Sequence, residues 1–75
     1  MKIYYDAKVD TLYIELRSLT PGTATPRELT EDITANYGPG GKLAGLEILD
    51  ASVVMGGELH KVVVEVTPSV LAKSA

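Results

Sequence analysis

The sequence predicts a mainly β (α+β) domain: an antiparallel β-meander of five strands with one short helix after the fourth. Three observations carry this. Apolar and polar residues alternate with a period of two in most segments, the signature of half-buried strands. Clusters of Gly, Pro, Asp and Thr punctuate those segments. At 75 residues the chain has room for one domain, expected over 1–67 with a loosely ordered tail at 68–75.

The first strand is "KIYY" (2–5), followed by "DAKV" as a tight hairpin loop. In "TLYIELR" (11–17), Leu12, Ile14 and Leu16 point one way and Tyr13, Glu15 and Arg17 the other. "LTPGTATP" (19–26) reads as a loop, rich in turn formers. A long third strand is expected from Glu28 to Tyr37, with Leu29, Ile33, Ala35 and Tyr37 opposing Thr30, Asp32, Thr34 and Asn36. "GPGG" (38–41) turns the chain into a fourth strand, Leu43–Leu49. Within "DASVVMGG" (50–57), Asp50 can accept from backbone N–H groups as a helix N-cap, and the glycines can end one or two helical turns. "KVVVEVT" (61–67), β-branched and closed by Pro68, reads as the fifth strand.

Face matching sets the registers. A four-residue "GPGG" loop places Tyr37 opposite Lys42, Ile33 opposite Leu46, Ala35 opposite Ala44, Thr34 opposite Gly45 and Asp32 opposite Glu47. A slip of one residue would mix the faces. The first hairpin is likewise expected to pair Ile3 with Leu12 and Tyr5 with Asp10. The apolar face then holds Ile3, Leu12, Ile14, Leu16, Leu29, Ile33, Ala35, Leu46, Ile48, Val62, Val64 and Val66. Such a face exceeds what one or two helical turns can cover, so a homodimer or higher oligomer is expected beside a partial helical cover.

Composition narrows the function. Hydrophobic residues make up 45% of the chain and the net charge is −3. No two of the seven basic residues are adjacent, which argues against a phosphate-neutralising surface and hence against nucleic acid as a partner. No apolar run approaches the roughly 20 residues of a membrane span, and no signal-peptide pattern opens the chain. The lack of cysteine suits a reducing cytoplasm.

The wet face carries the candidate site residues. Gly45 interrupts an otherwise regular strand, where a glycine marks a bulge or the close approach of another group. Tyr4 and Tyr13 share its face, and an aromatic ring lying across the glycine is the expected cover. Asp32 and Glu47, facing each other across the ladder, need compensation, for which a cross-strand Arg17 is the simplest source. Tyr4, Tyr13, Asp32, Gly45 and Glu47 are the candidate ligand-binding set. No catalytic residue, cofactor or metal ligand is assigned: His60 is the sole histidine, "GPGGK" lacks Walker spacing, and Asp6 and Asp10 read as turn residues bonding their own backbone.

Three blocks, "YDAKVDTLYIEL" (5–16), "ELTEDI" (28–33) and "GKLAGLEILDAS" (41–52), resemble the small, mostly bacterial proteins of domain-of-unknown-function family 2283 (DUF2283). The resemblance covers roughly residues 3–55. It implies a small β-meander domain and, because some members are encoded beside small toxin-like proteins, an antitoxin-like role with a small basic partner. It brings no activity, substrate or catalytic residue. Two functional expectations follow: a non-enzymatic, homo-oligomeric interaction module, or a small-molecule or cation binder (or enzyme) using the polar face.

Overall fold

The computed structural model describes residues 1–57, 59 and 61–67; His60 and the expected tail at 68–75 lie outside the described residues. Five antiparallel strands form one open sheet, with β1 at Lys2–Asp6, β2 at Thr11–Glu15, β3 at Thr25–Glu28, β4 at Ile33–Tyr37 and β5 at Leu43–Ile48. A single helical turn, α1 (Ala51–Val54), follows β5. The sheet order is β1-β2-β5-β4-β3. Two neighbouring hairpins, β1–β2 and β3–β4, therefore flank a central β5, and the order is not strictly sequential. Residues 16–24 carry the chain past the ends of β5 and β4 to the far edge. Leu16 and Arg17 fasten the start of that link by donating their N–H groups to the Ala44 carbonyl at 2.8 and 3.1 Å.

The expected third strand is in fact a hairpin. Glu28 ends β3, and Leu29–Asp32 turn the chain. The Thr30 hydroxyl accepts the N–H groups of Asp32 and Ile33 at 3.2 and 3.1 Å, while Leu29 N–H donates to Ile33 O at 2.8 Å. A threonine that folds onto its own backbone in this way offers the chain an alternative to the ladder. The expected 19–26 loop is correspondingly shorter, because its last two residues open β3. The five-strand count is met by this hairpin and not by "KVVVEVT": residues 61–67 form no strand. Hence the helix follows strand five and not strand four.

Both expected registers are displaced by two residues, with their faces preserved. Ile3 pairs with Ile14 and Tyr5 with Leu12. Ile33 pairs with Ile48, Thr34 with Glu47, Ala35 with Leu46 and Asn36 with Gly45. A bulge then brings Tyr37 opposite Leu43. Gly38 N–H donates to Lys42 O at 2.8 Å, so Lys42 belongs to the turn and is not the partner of Tyr37. Gly40 and Gly41, at φ +80° and +73°, supply the left-handed backbone this turn requires.

The core is small. Leu12, Ile48 and Ala51 are buried together, with Tyr5, Ile14, Ile33 and Leu59 packed around them. Ala51, on α1, is fully enclosed and joins that helical turn to Leu12 and Ile48 of the sheet. Ala35 and Ala44 are also buried. Of the other expected core residues, Ile3, Leu16 and Leu29 are exposed, as are Val62, Val64 and Val66.

Candidate functional site

The polar face assembles four of the five sequence candidates. Tyr4 and Tyr13 are cross-strand partners, their ring centroids 6.4 Å apart and tilted by 55°. The Lys2 ammonium sits 5.7 Å from the centre of the Tyr4 ring, within cation–π range. From β2, Tyr13 stands opposite Glu47 of β5. Its ring leans one pair along, over Gly45: a Cβ built there would overlap the Tyr13 hydroxyl and lie 2.7 Å from Cζ. The Asn36 side-chain amide donates to that hydroxyl at 3.4 Å from β4. The glycine thus exists to admit a tyrosine ring, and its own φ is not in the left-handed region.

Asp32 does not join this group. It lies in the β3–β4 turn, where its carbonyl accepts Leu49 N–H at 2.8 Å. Glu47 faces Thr34 on one side and Tyr13 on the other, so the like-charge confrontation expected with Asp32 does not arise. Arg17 is not the compensating cation either: it lies beyond the end of β2, against Ala44. What remains on the face is a tyrosine pair, the Asn36 amide and two carboxylates, Glu47 opposite Tyr13 and Glu15 opposite Gly45 and Lys2. Among the described residues, no three His, Asp or Glu side chains gather as a cation cage.

A second cluster, missed at the level of sequence, joins the first hairpin to the helix. Asp10 accepts the Tyr5 hydroxyl at 2.8 Å and the Ser52 N–H at 3.0 Å on Oδ1, and the Ser52 hydroxyl at 2.6 Å on Oδ2. Its carbonyl takes the Ala51 N–H at 2.9 Å. Asp10 therefore caps α1 from a loop 42 positions away in sequence. The expected cap, Asp50, makes no side-chain cap bond; it instead adopts φ +50° to turn the chain into the helix. Asp10 shares that left-handed φ, which Asp tolerates better than most residues. Asp6 does act as a turn residue, its Oδ1 accepting Lys8 N–H at 3.0 Å.

The hydrogen bond from the Ser52 hydroxyl, followed by that from Tyr5, holds the Asp10 carboxyl below its ordinary value of 3.8. The same Asp10 bond, then burial, raises the Tyr5 phenol above its ordinary 10.0. Both shifts lead away from neutrality, whereas a general acid or base works best with a pKa near the operating pH. Chemically, the cluster is a clamp that grips the charged form of Asp10 and the neutral form of Tyr5.

Fold and clusters together define a small single-sheet β domain, with one face tied to a short helix through Tyr5, Asp10 and Ser52, and an aromatic-and-acid centre on the other. The chain belongs to the DUF2283 family, described as a protein of unknown function, whose model matches residues 2–52. That match opens with the first residue of β1 and closes on the serine of the clamp. No curated protein and no solved structure matches the chain. No helix among the described residues is long and apolar enough to cross a membrane.

Proposed function

We propose that this protein is a non-enzymatic interaction module of the bacterial cytoplasm that acts as a homo-oligomer. One observation carries the reading. The sheet face that holds the core remains partly open, with Ile3 and Leu16 exposed on it and Val54 and Met55 exposed beside it. Between Ile3, Leu12, Ile14, Met55 and Leu59 runs a groove of about 250 Å³. Contiguous apolar surface of this kind is what a partner covers. A second copy is the simplest partner, since it is present wherever the protein is made. The net charge of −3 suits a further, basic partner such as a small toxin-like protein. Sedimentation equilibrium at micromolar concentration tests the reading: masses of at least twice 8.0 kDa are expected, and a clean monomer refutes it.

The alternative, a ligand on the polar face, draws on the assembly of Tyr4, Tyr13, Gly45 and Glu47. It is the weaker reading, because the Tyr13 ring already fills the space above Gly45 and Asp32 stands apart. A small molecule or cation held there would perturb the Tyr4 and Tyr13 ring resonances in an NMR titration.

A further inference from the structure

The sheet has two open edges, and they differ in kind. At one edge β3 spans only four residues, "TPRE", with a proline that has no N–H to offer and two charged side chains. Shortness, proline and charge are the features that blunt an edge against further pairing. At the other edge β1 spans five residues, "KIYYD", with no proline, so each of its residues has both an N–H and a carbonyl.

At the far end of the chain, "KVVVEVT" has the composition most suited to a strand, yet residues 61–67 pair with nothing among the described residues. Lys61 and Val62 line the groove beneath Ile3 and Ile14. Beyond them exposure climbs along the run, from 58% at Val62 through 65% and 73% at Val63 and Val64 to 94% at Val66. The segment forms no ladder with β1 of its own sheet. Four exposed valines in a row of seven residues are unfavourable in water without a partner.

We propose that Lys61–Thr67 is a strand donated in trans, adding antiparallel to β1 of a second copy, whose own segment is donated in return. The inference rests on the homo-oligomeric reading above and specifies its contact. Charge complementarity selects one register. Val62 and Val64 must fall on the side of Ile3 and Tyr5 if the faces are to match. With Val64 opposite Ile3, Val62 meets Tyr5 and Val63 meets Tyr4. The same register sets Lys61 against Asp6 and Glu65 against Lys2, two opposite-charge pairs. Sliding by two residues in either direction loses both pairs and leaves Lys61 or Glu65 facing Tyr4. The parallel arrangement with matched ends sets Lys61 against Lys2 and Glu65 against Asp6, which is repulsive.

The chain has no cysteine, so single cysteines can be placed on a clean background. Tyr4→Cys and Val63→Cys chains, mixed and oxidised, are expected to give a disulfide-linked dimer on a non-reducing gel. Tyr4→Cys with Val62→Cys, which points to the other face, is expected to give none. In parallel, Val64→Pro removes a ladder N–H from a residue outside the folded sheet. It is expected to abolish the dimer in sedimentation equilibrium while the circular dichroism of the sheet is retained. A dimer with no preference between the cysteine pairs, or one that survives Val64→Pro, overturns the strand contact and leaves the homo-oligomer standing. A monomeric native protein overturns both. A Tyr4→Cys/Val63→Cys double variant that closes its disulfide within one chain also overturns the inference, making the segment a sixth strand of its own sheet.

Discussion

Replacing Gly45 by valine should destabilise the domain by about 1–3 kcal/mol, the range for forcing extra methyl groups into a filled space. The magnitude follows from what the new side chain meets. Its Cβ would lie 2.7 Å from Tyr13 Cζ and 3.0 Å from the Ile14 carbonyl oxygen, against an optimum of about 3.5–4.0 Å between carbons. Backbone strain contributes nothing, because Gly45 is not at positive φ. In an open strand valine would be favourable, so the two effects oppose each other and the clash must win. The ring cannot swing aside freely, with the tilted Tyr4 ring beside it at 6.4 Å and a hydrogen bond from Asn36. Urea denaturation followed by circular dichroism, on wild type, Gly45→Val, Tyr13→Ala and the double variant, isolates the coupling. The valine penalty should largely vanish in the Tyr13→Ala background. Were valine neutral or stabilising with Tyr13 in place, or equally costly without it, the ring would not be the reason for the glycine.

Other outcomes follow from the clamp, the core and the acids. Asp10 has a lowered folded pKa, so its contribution is present above the ordinary 3.8 and is lost as pH falls below that value. Tyr5 is raised, so its contribution is present below 10.0 and is lost as pH rises past it. Urea midpoints of wild type and Asp10→Asn should therefore differ at neutral pH and converge in acid; a constant gap would refute the assignment. Ala51→Leu should cost about 1–3 kcal/mol by prising α1 from Leu12 and Ile48, measured by thermal unfolding. Millimolar Ca²⁺ or Mg²⁺ should leave the melting temperature unchanged, and a rise of several degrees would place a cation on the folded state.

Period-two alternation carried much of the architecture, and its limits explain the errors. It detects odd slips, because these turn every side chain over. It is blind to even slips, so both hairpin registers could be misplaced by two while Leu12, Ile14, Ile33 and Ile48 kept their face. The turn Leu29–Asp32 continues the alternation of β4 backwards, which is how it passes for the first half of the expected Glu28–Tyr37 strand. The Thr-Glu-Asp run in that turn was the signal available, since threonine and aspartate bond their own backbone. "KVVVEVT" reads as a strand on propensity, but a strand needs a neighbour and propensity does not supply one. The ring over Gly45 was legible because glycine and tyrosines shared one face in any even register. The clamp was not, because nothing local connects Asp10 with a serine 42 positions later.

The central place of β5 governs the order in which the sheet can be built. A ribosome releases the β1–β2 hairpin first and the β3–β4 hairpin second, and isolated hairpins are marginal in water. Neither can rest against the other until Leu43–Ile48 slots between them, so the strand made last holds the two earlier pairs together. Nascent chains shorter than this strand should therefore lack a folded domain, with no stable half to act as a template. Closure then brings Ser52 onto Asp10 within four residues of the strand's end. Folding of this protein is accordingly completed late, by the β2–β5 pairing. This is the one ladder among the described residues that joins strands far apart in sequence, and such long-range pairing is the slow kind.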